Sequence, residues 1–134
     1  VTEAQAIEAL TQRWIDAWPG LSAVPYTFDN EIADSADSYV RVSFVHTVRR
    51  QATLGSDGGR KFESRGYVFV QLFGAVNVGV KTLAELADKT RSVYEGRRLA
   101  EELTTYAGST RESPSDGRWA MRTITIPFAY EELR

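Results

Sequence analysis

The sequence predicts an α+β fold: two helices packed on one face of a mainly antiparallel sheet, with an extended β-hairpin arm. Three observations predict it. Two segments place apolar residues at helical spacing behind a capping-box pattern. Three others alternate in the two-residue period of a strand. A glycine-rich polar segment joins two of those strands.

The first helix is predicted in "TEAQAIEALTQRWIDAW". Thr2 and Gln5 form the capping box, and Ile7, Leu10, Trp14 and Trp18 line one face. Pro19-Gly20 is expected to stop it. Trp14 and Trp18 stand four residues apart, which favours core packing over a stacking platform for bases. The next segment, "GLSAVPYTFDNEIADSADS", reads as irregular or extended. It carries Asp29, Glu31, Asp34 and Asp37 without a basic residue among them.

"SYVRVSFVHTV" alternates as a strand. Val40, Val42, Phe44, His46 and Val48 share one side, and Arg41, Ser43 and Thr47 the other. "RGYVFVQLF" is a second strand, apolar on both faces as in a sheet interior or at an interface. The two are expected to pair as an antiparallel hairpin whose far end runs from about Arg50 to Lys61. That connection exceeds the usual two to five residues.

The second helix is predicted in "TLAELADKTRSVYEG". Thr82 and Glu85 repeat the capping box, Leu83, Leu86, Thr90 and Val93 face inward, and Gly96 terminates it. "RRLAEELTTYAGSTRES" fits a helical turn or a strand equally, and "PSDG" is a turn by composition. "RWAMRTITIPFAY" is the last strand, with Ile124, Ile126 and Phe128 on one side. Pro127 cannot donate to a ladder, which suggests a sheet edge or the strand's end.

Length and composition agree with one domain spanning residues 1–134. The chain is 43% hydrophobic and 25% charged, as expected of a folded chain. With no cysteine, disulfides, thiolate metal sites and thiol nucleophiles are excluded. A net charge of −2 gives no bias towards nucleic acid or an anionic membrane. The N-terminal segment lacks signal-peptide features, and the longest apolar run, 66–80, is too short and polar to span a bilayer.

Motifs for chemistry are few. His46, the one histidine, would be a general base if Ser43 or an aspartate stood beside it. Without a motif it reads better as a strand histidine paired with a polar neighbour. "GSDGGRK" fails as a phosphate loop, since Arg60 replaces the second glycine and Phe62 the hydroxyl residue. Asp57 and Gly59 lack the acidic ladder of a calcium loop, and no cofactor or metal is expected.

Charge distribution says more. Segment 49–65 holds Arg49, Arg50, Arg60, Lys61 and Arg65 against two acidic residues, while segment 29–37 is purely acidic among its charges. These are either two solvated loops or complementary patches that meet head-to-tail between neighbours. Leu54 and Phe62 are the expected apolar contacts of such an arm.

Four segments, in order, carry a resemblance: "RQATLG", "RGYVFVQLF", "TLAELADKTRSVYEGRRL" and "SDGRWAMRTITIPFAY". Together they resemble the tail terminator proteins of long-tailed bacteriophages and related prophages, over nearly the whole chain. After Phe73, "GAVNVGVKT" departs from the proline and glycine-rich linker of that pattern. The resemblance implies no catalysis. It implies a homohexameric ring in the virion, on the head-proximal end of the tail tube, made in the host bacterial cytoplasm. Such a ring ends tube polymerisation and docks the neck. The implied partners are other copies of the chain, the tube protein and the head–tail connector, with no membrane and no sequence-specific nucleic acid; DNA would pass through the lumen. Two alternatives stand beside it: another phage neck or tail-completion protein, and a small enzymatic or ligand-binding domain using His46.

Overall fold

The computed structural model describes residues 1–22, 24–28, 38–75, 80–100, 102–113 and 119–134. The chain forms α1 (Glu3–Leu21), β1 (Tyr26–Phe28), β2 (Ser38–Gln51), β3 (Lys61–Ala75), α2 (Val80–Tyr94), β4 (Arg98–Ala100), β5 (Leu103–Thr105), β6 (Ser109–Ser113) and β7 (Trp119–Leu133). The sheet order is β1-β2-β3-β7-β5-β4, with β6 paired to β7 beside β5. Every pairing is antiparallel except β1 with β2. The fold is α+β, as predicted.

The capping box of α1 forms. The Gln5 amide donates to the Thr2 hydroxyl at 3.2 Å, and the Thr2 amide donates to the Gln5 side chain at 2.9 Å. Leu10, Trp14 and Trp18 are buried, the two indoles stacked at 4.6 Å. Ala6 rather than Ile7 completes the stripe, and Ile7 is only half-buried. The helix also outlasts Pro19-Gly20 and ends at Leu21. Proline's φ is helical and it removes one donor only, so the last turn survives. The Ser22 amide closes it on the Trp18 carbonyl at 2.9 Å.

Leu83, Leu86, Thr90 and Val93 of α2 are buried as expected, and Gly96 follows the helix at φ +66°. The start differs. The helix begins at Val80, so Thr82 lies inside it and does not cap it. The two helices are clasped by polar contacts: the Tyr94 hydroxyl donates to the Leu10 carbonyl at 2.5 Å, and Arg13 Nε to the Val93 carbonyl at 2.7 Å. Burial pushes the Tyr94 phenol well above its ordinary pKa, which keeps it a neutral donor.

Both helices cover one sheet face. There, Val40 and Val42 from β2 meet Val68, Val70 and Leu72 from β3 and Ile124, Ile126 and Phe128 from β7, all buried. The ambiguous stretch after Gly96 resolves into β4, β5 and β6, and the irregular stretch after α1 contains β1. "PSDG" lies outside the described residues.

Pro127 corrects an expectation. It sits in the middle of β7, an interior strand. Its carbonyl accepts from the Tyr106 amide at 3.0 Å, so its nitrogen points to that same side. The β6 pairing ends at Thr125 and the β5 pairing starts at Phe128, so the nitrogen meets the break between them. No ladder donor is needed there.

Candidate functional site

β2, β3 and β7 are the three long strands, and together they form the arm. Register runs unbroken between β3 and β7 from Lys61↔Leu133 to Ala75↔Trp119. The arm is therefore a three-stranded ribbon rather than the isolated hairpin the sequence suggests.

The pairing of β2 with β3 slips by one residue between His46 and Val48. His46 faces Gly66, Val48 faces Arg65, and Thr47 is the extra residue of a bulge, its hydroxyl donating to the Arg65 carbonyl at 3.3 Å. A one-residue slip exchanges the faces. Val48, expected inside, is 52% exposed on the open face, and Arg49 turns to the helix-covered face. Gly66 makes the close approach possible, because a Cβ there would stand 2.2 Å from the Val45 carbonyl oxygen.

Arg49 then reaches across β3, its Nη1 donating to Ser64 Oγ at 3.1 Å and its Nη2 to Glu132 at 2.9 Å. Its guanidinium also covers the Phe62 ring, 5.1 Å from the centroid. His46 stands beside this cluster. Its Nε2 is 2.9 Å from the Tyr130 hydroxyl, and its Nδ1 is 3.8 Å from Glu3 of α1. The expected pairing with a polar neighbour is thus present. Burial raises the Tyr130 phenol pKa, so Tyr130 stays protonated. Among the described residues no group of three or more His, Asp or Glu could hold a metal ion.

The other basic residues of the arm also find acids in their own chain. Arg50 donates twice to Glu63, at 2.9 and 2.7 Å, and this holds the Glu63 carboxyl below its usual pKa. Arg60 pairs with Asp57, and Lys61 with Glu131 at 3.1 Å. No ion pair holds Arg65 among the described residues; its charge reaches Glu63 only through space. Asp29, Glu31, Asp34 and Asp37 lie outside the described residues.

The tip, residues 52–60, is exposed apart from the half-covered Arg60. It is nevertheless held by its own hydrogen bonds. Ala52 N donates to the Lys61 carbonyl at 2.7 Å, Lys61 N to Thr53 Oγ1 at 2.9 Å, and Gly59 N to the Ser56 carbonyl at 3.0 Å. Arg60 and Arg134 exchange backbone bonds at 3.2 and 2.8 Å. Gly58 takes φ +86°, a conformation that favours glycine. This frame leaves Leu54 94% exposed, the most exposed large apolar side chain described.

The sheet face away from the helices is foreshadowed in the sequence only by the second strand, and the residues that make it up across strands are not legible there. Cross-strand rows Val45–Tyr67–Pro127 and Val48–Arg65–Ala129 run side by side there, and Tyr106 lies next to Pro127. Val45, Val48, Tyr67 and Tyr106 are 37–52% exposed. The signal was present in the second strand, whose residues are apolar on both faces.

No family model matches the chain, and no curated protein matches it. Solved structures do. One, known by a sequence identifier alone, superposes with a TM-score of 0.70 at 13% identity, covering 100% of this chain and 99% of the other. At that identity the likeness establishes a shared fold over the full length.

Proposed function

We propose that the chain is a structural assembly protein of the tail-terminator kind, which forms a ring on the head-proximal end of a phage tail tube. In this reading the ring is a hexamer of identical subunits that ends tube polymerisation and offers the docking surface for the neck, without catalysis. The observation that carries it is an arm tip that holds Leu54 in solvent, together with an open, largely apolar sheet face further back on the same chain. The order of the sequence segments supports the tail-terminator reading in particular.

The geometry moves the weight of the contact. Arg49, Arg50, Arg60 and Lys61 already have acidic partners, so meeting a neighbour's Asp29, Glu31, Asp34 or Asp37 would require exchanging existing pairs. Exposed pairs contribute only about 0–1 kcal/mol each. Phe62 is half-covered by Arg49, which leaves Leu54 and the open face as the apolar contacts.

The test is the mass of the purified protein in solution, followed by microscopy of tails assembled with and without it. The expected result is a ring, with tails of irregular length in its absence. Shortening the tip at Ser56–Arg60 should leave the helix content unchanged and abolish rings or tube termination. A monomer at every concentration, with tails of normal length in its absence, would overturn the reading.

A second reading rests on the open pocket at His46, lined also by Glu3, Arg49, Ser64 and Tyr130. It makes the chain a small ligand-binding or enzymatic domain. A metabolite retained through purification, displaced by His46→Gln, would support it. A third, that the chain is a different neck protein, predicts binding to the connector without an effect on tube length.

A further inference from the structure

A lone leucine held in solvent by an ordered loop is a knob without a hole. The same chain carries a groove on the open sheet face, part apolar and part polar, whose lining includes Val48, Arg65, Tyr67, Tyr106, Pro127 and Ala129. We infer that Leu54 of one subunit seats in this groove on the next subunit. The inference deepens the ring reading and rests on it.

Leu54 cannot fill the groove of its own chain. The tip begins after Gln51, which pairs with Phe62, and Tyr67 lies five residues further along β3. The near edge, Val48 and Arg65, is three residues back; at roughly 3.3 Å per residue the groove therefore runs from about 10 to 16 Å behind the Gln51–Phe62 pair along a continuous strand. The tip is tied in place at both ends, by Ala52 to Lys61 and by Arg60 to Arg134, so it does not fold back. The contact must come from another molecule.

Charge complementarity selects a second copy. The groove lining has one charged side chain, Arg65, and no acid. The tip carries Asp57 three residues from Leu54; its side chain is 97% exposed, and it would meet Arg65 by sharing or exchanging its present pair with Arg60. An arriving tip would bring apolar surface to the aromatic wall and a carboxylate to the cation. Knob and groove occupy different places on one chain, so the contact is heterologous, and a heterologous contact that closes makes a ring. One leucine does not hold a ring by itself; Val45, paired with Tyr67 of the groove, extends the same apolar face beyond it.

The chain contains no cysteine, which makes cross-linking clean. Leu54→Cys and Tyr106→Cys are purified separately and mixed under mild oxidation. The expected result is a mixed disulfide dimer, with neither variant cross-linking alone, and a ladder of covalent multimers from the double variant. Leu54→Asn should keep the helix signal and weaken self-association by about tenfold or more, while Leu54→Met retains it. If Leu54→Asn keeps the wild-type mass and no mixed disulfide forms, the groove assignment is wrong and the ring stands. Self-cross-linking of Leu54→Cys alone would mean a tip-to-tip contact and also overturns the assignment. A monomeric wild-type protein removes both the assignment and the ring.

Discussion

Arg49 Nη2 lies 2.9 Å from the Glu132 carboxylate, with one whole strand between their backbones. The pair spans β3 and ties the arm's two outer strands together. Glu132 is 9% exposed, with Arg134 Nε 3.5 Å from its other oxygen, so losing Arg49 leaves a nearly buried carboxylate with a single, longer ion pair. Arg49→Ala should lower stability by about 1–3 kcal/mol in urea denaturation. The exchange Arg49→Glu with Glu132→Arg should recover part of that loss. If the single variant is as stable as the wild type, the clasp contributes nothing.

Gly66→Ala should be more damaging than its size suggests. The added Cβ would meet the Val45 carbonyl oxygen at 2.2 Å, Phe128 Cζ at 2.7 Å and His46 Cα at 3.1 Å. Two of the three are backbone and cannot swing away. We expect a loss of about 3 kcal/mol or more, read from the urea midpoint. A midpoint within error of the wild type would mean that the bulge is not tight there.

Leu86→Ala tests the placement of α2. Leu86 is 4% exposed in the main core, and its truncation should cost about 2–5 kcal/mol. Chemical denaturation with an unchanged midpoint would mean that α2 is misplaced.

Tyr94 links stability to alkaline pH. Its folded-state pKa is raised by burial, so the neutral phenol is favoured in the fold. The contribution is complete below the ordinary tyrosine value of about 10 and is lost as pH rises beyond it. At pH 7, Tyr94→Phe should be less stable by about 1–2 kcal/mol, because the Leu10 carbonyl loses its donor. At pH 11 the gap should narrow. A constant gap at both pH values would show that the phenol is not titration-linked to folding.

His46→Gln separates the structural reading from the catalytic one. Glutamine can still bond the Tyr130 hydroxyl, so folding, ring mass and infectious-particle assembly should stay near wild type. Normal rings combined with lost infectivity would argue for a role of His46 beyond the arm's base.

The helix stripes and the long strands were legible because their periods persist over many residues. Leu83, Leu86, Thr90 and Val93 needed only a spacing rule. The bulge was not legible, because an extra residue has no compositional mark. Val48 continues the apolar alternation by type, yet one slip at Thr47 turns it outward and brings Arg49 in. That slip also hid the candidate site. The basic residues looked available in sequence, whereas the glutamates that occupy them arrive on β3 and β7, up to 83 positions away. Pro127 misled for a related reason: its tolerance depends on a gap between two other strands.

The ribbon of β2, β3 and β7 also has a mechanical meaning. A pull on the tip along the strand axis loads the whole β3–β7 ladder in shear, so many hydrogen bonds share the force and must yield together. A pull on β1 opens three residue pairs in succession, like a zip. Tension applied at the tip is therefore transmitted into the core as a rigid displacement, while the short β1 edge beside β2 gives way first.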